Sequence, residues 1–517
     1  MTISIPFLLA WIGLLASNVE GGNYLFYLPF SSRSIKLGFM PMARELARRG
    51  HNVTMVCPHK DKKSIPGITE IIHSSPFDEI SSQVSDNVLL EQGSATDLPV
   101  SAMIEATITA NREALASPEM QQILTDPSIQ FDVVMTIPAF GNEAGNFVAE
   151  AKNASLVWFL SIPILMPWVA SAVGSPSNPA YMPCPMVPYG MAMSFKERLV
   201  NTIASAALAL GRTYYVLPKV SAMLLEVLPW LTEAPDLDYL SKKTALVIYH
   251  GSPFTGDGLR PLAPNIIQAG LMSCFPGGAL EGELREWVEG AEHGVIYLSF
   301  GSVVKASKMP ESRRLLLLNV LTRLKQRVIW KWEKEMTDLP ANVKTFAWLP
   351  QTDVLSHPNV KLFVTHGGAG SIQETICHKT PIVGIPLMGD QVNNLAEAET
   401  QHLGIIIQWS QVTEENLLSG INQVLSDNSY QDSVDRLQSL IMDAPLHPRD
   451  KAVWWLEYIL RHPHNPGMRS PAKDLNLAQY FLLDVFGCLL AALVIVFYVI
   501  KKVAGLLCKQ KIKRKAE

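Results

Sequence analysis

Residues 348–394 read WLPQTDVLSHPNVKLFVTHGGAGSIQETICHKTPIVGIPLMGDQVNN, and the order of elements within them decides the fold. Val360–Val364 is a short apolar run that reads as a strand, with the chain leaving it at Thr365. His366-Gly367-Gly368 then makes a tight turn with bare backbone, and a helix is predicted from near Ser371. A glycine turn between strand and helix lets phosphate oxygens approach backbone N–H groups. The helix N-terminus adds roughly half a positive charge. His366 can donate to a phosphate too, so the turn suits a nucleoside diphosphate, although HGG alone is a weak sign.

Each polar residue here also has a local reading. Ser371-Ile372-Gln373-Glu374 has the S-x-x-E spacing of a capping box, which would tie Glu374 to its own helix. Trp348 could be core. His366 could serve the turn alone. Asp390-Gln391 could simply start a helix, since Asp is a favoured N-cap.

Outward from this stretch, Val295–Ser299, Val328–Trp332, Ile382–Ile385 and Ile405–Gln408 are further strand candidates, most of them a helix length apart. In the first half, Tyr24–Leu28, Val53–Val56 and Phe131–Thr136 read as strands, and Pro41–Arg49 as a helix stopped by Gly50. Alternation of this kind gives an α/β chain with parallel sheets. With 517 residues, two doubly wound domains are expected, over 22–255 and 256–475. Seven prolines between Pro163 and Pro188 predict an irregular loop over a cleft. The apolar run Val157–Val173 reads as strand and core rather than membrane contact.

Residues 1–21 carry an apolar run, Ile3–Ala16, and a small-residue site before Gly22; they read as a secretory signal peptide. Residues 480–500 are apolar for the length that crosses about 30 Å of hydrocarbon. The tail at 501–517 is basic, so a single span with a short cytosolic tail and both domains on the far side is expected. Lys513 and Lys515 resemble a dilysine retrieval signal, which points to the endoplasmic reticulum membrane with luminal domains. Sequons at Asn52 and Asn153 are glycosylation candidates, although Asn52, opening an apolar strand, looks too buried to use. Cys57, Cys184, Cys274 and Cys377 are too few for a disulfide framework, and no CxxC pair offers a zinc site. A net charge of −4 excludes a nucleic-acid partner argued from a basic face.

The ordered set WxPQ, HP, THGG, a Glu eight after the His, P-x-x-x-x-P-x-x-x-DQ and the Asn pair resembles the signature of the UDP-glycosyltransferases, which include the animal UDP-glucuronosyltransferases. Ser299-Phe300-Gly301-Ser302, Pro261–Gly270 and Gly50–Thr54 extend the resemblance over nearly the whole chain. It implies a GT-B fold of two facing Rossmann-like domains, with acceptor bound on the first and UDP-sugar on the second. It implies metal-independent, inverting transfer of a hexose, glucose or glucuronic acid, to a small lipophilic acceptor, as in detoxification. No cofactor is implied beyond the UDP-sugar co-substrate, and a homo- or hetero-oligomer stays open. By resemblance, Trp348 stacks on uracil, Gln351 bonds its edge, and Glu374 accepts from the ribose. Ser302, His366 and Gly367 hold the diphosphate, and Asp390 and Gln391 hold the sugar. Gly370 and Lys379 depart from the family pattern, where a larger residue and a glycine are common.

The family's base is a His sixteen residues before the His of GHNVT, oriented by an Asp five after the Asp of FDxV. Those positions are Ile35 and Ile137. Isoleucine accepts no proton. Three expectations follow: Glu143 or His51 serves instead; the acceptor is an amine or already acidic and needs no base; or the chain binds UDP-sugar as a regulatory or partner subunit. Asp236-Leu237-Asp238 could mark a metal-dependent transferase of another fold, but it reads better as surface.

Overall fold

The computed structural model describes residues 21–61, 63–89, 100–162, 165–184, 187, 189–255, 260–463 and 468–516. The predicted signal peptide lies outside them, Gly21 apart. So do the tail side chains beyond residue 507 and five residues of the proline-rich stretch.

Two parallel sheets carry the chain. In the first, β1 (Asn23–Tyr27), β2 (Asn52–Cys57), β3 (Ile68–Ile72), β4 (Val133–Thr136), β5 (Ser155–Leu160), β6 (Leu246–Tyr249) and β7 (Ile266–Gln268) lie in the order β3-β2-β1-β4-β5-β6-β7. In the second, β8 (Val295–Ser299), β9 (Arg327–Lys331), β10 (Val343–Phe346), β11 (Val360–Thr365), β12 (Ile382–Gly384) and β13 (Gly404–Ile406) lie in the order β10-β9-β8-β11-β12-β13. Strands such as β4 and β5 are buried at every residue, because helices cover both faces of a parallel sheet. Each sheet therefore separates two apolar layers. In both sheets the strand order reverses beside the first strand, between β1 and β4 and between β8 and β11. In open α/β sheets such reversals open the ligand crevice at the carboxyl ends of the strands.

Several expectations need correcting. The helix predicted from Pro41 starts eight residues earlier, as α1 (Arg33–Arg48), because the Ser32 hydroxyl caps it through the Ile35 amide at 3.1 Å. Pro41 sits inside it and costs one backbone bond, while Phe39, Met42, Ala43 and Leu46 bury the face. The proline-rich stretch is not irregular throughout. Pro167 occupies the first turn of a helix, where its missing N–H is no loss. The expected boundary at 255 falls short, since β7 pairs with β6 in the first sheet, and Pro261–Gly270 contributes that last strand. The helix Pro448–Arg461 also returns to the first domain, where Ala452, Val453, Leu456 and Ile459 join Phe26 and Phe39 in its core. Asn52 is exposed at the start of β2 and donates to Asn23 Oδ1; Asn153 is exposed as well.

Between the domains, the helix Phe77–Val88 of the first reaches the loop after β8. Ser81 Oγ donates to the Val303 carbonyl, and Ser85 Oγ accepts from the Lys305 amide at 3.0 Å. Leu89 completes the contact by entering the second domain's core. The long terminal helix, Leu483–Ala516, contains a stretch Leu483–Leu507 long and apolar enough to cross a membrane, none of it buried against the rest of the chain.

Candidate donor and acceptor sites

The carboxyl ends of β8 and β11 lie side by side, with Ser299 in register with Thr365. From these ends leave the two turns singled out in the sequence, Phe300-Gly301-Ser302 and His366-Gly367-Gly368. Gly301 has φ +80°, and a Cβ there would lie 2.5 Å from the His366 ring; only glycine lets the histidine pack against this turn. Gly367 has φ +81°, and a Cβ would meet Leu395 at 2.3 Å. The helix after the turn runs Ala369–Cys377 and so begins two residues before Ser371, with Gly368 at its N-cap. Its first-turn N–H groups have no partner within the helix, the arrangement that suits an anion at a helix N-terminus. His366 is pushed down to about 4 by burial and by the nearby Lys331 ammonium. It is neutral at physiological pH, and its Nδ1 has no hydrogen-bond partner among the described residues.

The capping-box reading of Glu374 is overturned, since no side chain caps this helix. Instead Glu374 accepts from Gln351 Nε2 at 2.5 Å and from Thr352 Oγ1 at 2.7 Å. Burial raises its pKa, opposed by those two donors. Gln351 is held at its other end by the Tyr297 hydroxyl, which donates to Oε1 at 3.0 Å. Trp348, read locally as core, is 54 % exposed, three residues before the helix Gln351–Ser356. Ser302 is half-buried in the loop after β8.

Asp390 does stand at the N-cap of the helix Gln391–Thr400, but its side chain makes no capping bond. It accepts from Asn394 Nδ2 at 2.6 Å, and the same amide donates to the Gly367 carbonyl at 3.0 Å. Burial raises the Asp390 pKa as well. Gln391 is buried, and its Oε1 accepts from the Leu387 and Met388 amides, both at 2.9 Å, so this oxygen closes a loop and only its NH2 remains for a ligand. Tyr297, Thr352 and Asn394 were missed in the sequence; only Asn394, in the quoted Asn pair, left a signal there.

In the first domain, Ile35 and Ile137 occupy the corresponding crevice. Ile35 lies in the first turn of α1 after β1, and Ile137 directly follows β4, the neighbouring strand. Both are half-buried against one apolar cluster. Neither proposed substitute reaches this place. His51 precedes β2, at the amino ends of the strands and so the opposite end of the sheet from Ile35 and Ile137, where its Nδ1 accepts from Gly22 N and its Nε2 faces Glu457. Glu143 is fully buried, bound to Arg212 at 3.1 Å and to the Gly141 amide at 2.9 Å. Asp236 caps a short helix, and Asp238 pairs with Arg212. Among the described residues no group of three or more His, Cys, Asp or Glu is placed to hold a metal.

One disulfide is present, Cys274–Cys377, which the scarcity of cysteines had not led us to expect. It ties the segment leaving the first domain to the end of the helix that carries Glu374. One turn earlier, Gln373 accepts from the Leu271 amide at 2.8 Å and donates to the His250 carbonyl at 2.7 Å. The donor helix is thereby fastened to the domain crossing.

Two facing Rossmann-like domains, with two glycine turns at the switch point of the second, have the architecture of a GT-B glycosyltransferase. Solved structures agree on the fold: the glycotransferase of kitacinnamycin superposes with a TM-score of 0.57 at 18 % identity, over 85 % of this chain and 98 % of that one. Residues 34–517 match the family described as UDP-glucoronosyl and UDP-glucosyl transferase, and the chain belongs to this family of UDP-dependent hexosyltransferases. Among curated relatives, UDP-glucosyltransferase 2 of Dactylopius coccus is 29 % identical over 96 % of this chain and 95 % of its own. UDP-glucuronosyltransferase 1-2 of Rattus norvegicus is 32 % identical over 74 % and 70 %.

Proposed function

We propose that the protein transfers a hexose from UDP-glucose or UDP-glucuronate to a small lipophilic acceptor, with inversion and without a metal, at the luminal face of the endoplasmic reticulum membrane. The observation that carries this reading is the pairing of the His366-Gly367-Gly368 turn with the Gln351–Glu374–Thr352 cluster at the switch point of the second sheet. Uracil stacks on Trp348, the ribose hydroxyls replace Gln351 and Thr352 as donors to Glu374, and the two glycine turns take the diphosphate. Asp390 takes sugar hydroxyls. The acceptor attacks the anomeric carbon in line, the bond from that carbon to the diphosphate oxygen breaks, and the helix N-terminus and His366 N–H stabilise the departing UDP. The acceptor proton has no side-chain base at Ile35 or Ile137. It leaves to solvent from an amine, or has left already from an acidic phenol.

Those two isoleucines also support a second reading, a UDP-sugar-binding partner subunit with little turnover. Acceptor-dependent UDP release from membranes bearing the protein decides between them. Phenols, alcohols and amines would be supplied with each UDP-sugar, against a Glu374→Ala, Asp390→Ala control. Release above the control, strongest with amines or acidic phenols, supports the transferase. UDP binding with no release for any acceptor refutes it in favour of the partner subunit.

A further inference from the structure

A cavity of about 140 Å³ lies between the two domains, on a second face of the helix Ala369–Cys377. Ser371 and Glu374 of that helix turn to Gln351, whereas Ile372, Gln373 and Ile376 line the cavity. Its volume is close to the ~150 Å³ that holds one benzene ring in an apolar interior. Leu271, Ile441 and Met191 complete the apolar walls. One side chain breaks the pattern. His250, directly after β6, lines the cavity while only 6 % exposed, and its Nε2 has no hydrogen-bond partner among the described residues. Its Nδ1 lies 3.3 Å from the Ser161 carbonyl, which can only accept, so Nδ1 carries the proton. Burial keeps the ring neutral, and Nε2 therefore turns a lone pair to the cavity. A buried acceptor without a donor is costly, and a ligand N–H would relieve it.

The cavity reaches the donor residues. Asn394 lines it, and the same Asn394 amide spans Asp390 and the Gly367 carbonyl. Ala369, the first residue of its helix, lines it too. The cavity does not centre on the two isoleucines. Ile137 leaves β4 and His250 leaves β6, two strands along the sheet and so roughly 10 Å apart. Charge then narrows the ligand. Glu397 is a lining residue, and no lysine or arginine is among the described ones. A carboxylate or a phenolate would meet Glu397 with no cation to pair it, and a phenolate has no hydrogen for Nε2. A neutral amine has a hydrogen to donate there and a lone pair that attacks without first losing a proton.

The geometry points to this cavity as the acceptor site, taking a flat lipophilic amine whose N–H donates to His250 Nε2. This rests on the transferase reading proposed above and chooses the amine over the acidic phenol. The full chain in membranes would be irradiated with a benzylamine carrying a diazirine on its ring, and the label mapped by mass spectrometry. Label within 250–255 and 393–400 is expected, blocked by excess para-butylaniline and not by para-butylbenzoate. Ala396→Trp, which fills the cavity, should abolish it with UDP binding unchanged. His250→Leu should weaken para-butylaniline about tenfold, the scale of one lost hydrogen bond, and leave para-butyltoluene unchanged. Label confined to the segments after β1 and β4 overturns the site, as does equal blocking by the benzoate. Equal weakening of the aniline and the toluene overturns the hydrogen bond to His250. If Ala396→Trp loses UDP binding, the wild-type label and its blocking pattern decide. Label in the cavity with no UDP release for any acceptor keeps the binding site and refutes the transferase reading.

Discussion

Replacing Ile35 by His and Ile137 by Asp together should create the base the site lacks. Ile35 is in the first turn of α1, where the positive end of the helix disfavours an imidazolium, so a histidine there stays neutral and able to accept a proton. Residue 137 follows the adjacent strand and packs on the same cluster, within reach to orient that ring and steady its charge. A positioned general base contributes about 10²–10⁴ in rate, so alcohols and weakly acidic phenols should gain roughly that factor in kcat. The gain should follow a pH profile rising through about 6.5, the ordinary histidine value. Amines should change little. The isoleucines are half-buried, so the exchange should cost about 1–2 kcal/mol at each site, less than a full core truncation. UDP release with a phenol series, against the single variants, is the assay. If the double variant stays folded and binds UDP but shows no gain with any hydroxyl acceptor, the assignment of these positions to the proton-transfer site is refuted.

Gly367→Ala should cost about 1–3 kcal/mol from its left-handed φ and the clash with Leu395, and should weaken UDP binding; a calorimetric titration with unchanged affinity would contradict the turn's role. Lys379 holds φ +57° where the family commonly has glycine, and its ion pair to Asp435 is long and exposed, so Lys379→Gly should raise stability by about 0.5–1 kcal/mol, read as a higher Tm. His250 is buried, and burial pushes it down to about 4. The unfolded chain protonates it near 6.5, so its contribution is whole above that pH and falls by up to about 1.4 kcal/mol per unit as pH drops toward 4. Urea unfolding from pH 7.5 to 5 should therefore be flatter for His250→Gln than for the wild type, and parallel curves would exclude the histidine as a source.

Long apolar strands were readable because burial on both faces leaves a continuous run, as in Val295–Ser299 and Val360–Thr365. β7 escaped because three residues carry no period, and the start of α1 because Pro41 looks like a beginning rather than an interior residue. In the candidate site, residues whose type and order carry the family resemblance, such as Glu374 and His366, stood out in the sequence. The supports did not. Tyr297 acts on Gln351 from 54 positions away, and Cys274 meets Cys377 across 103. Nothing local marks such pairs, because the fold alone brings them together. Asn52 misled for a related reason: opening an apolar strand does not bury the residue at its amino end, where the sheet begins.

The return of Pro448–Arg461 to the first domain has a mechanical result. The polypeptide crosses between domains twice, once before β8 and once before this helix, so the apolar stretch Leu483–Leu507 follows the first domain and not the second. The second domain is therefore tethered to the first at both of its ends, and a single cut in either crossing would leave the two halves covalently joined through the other.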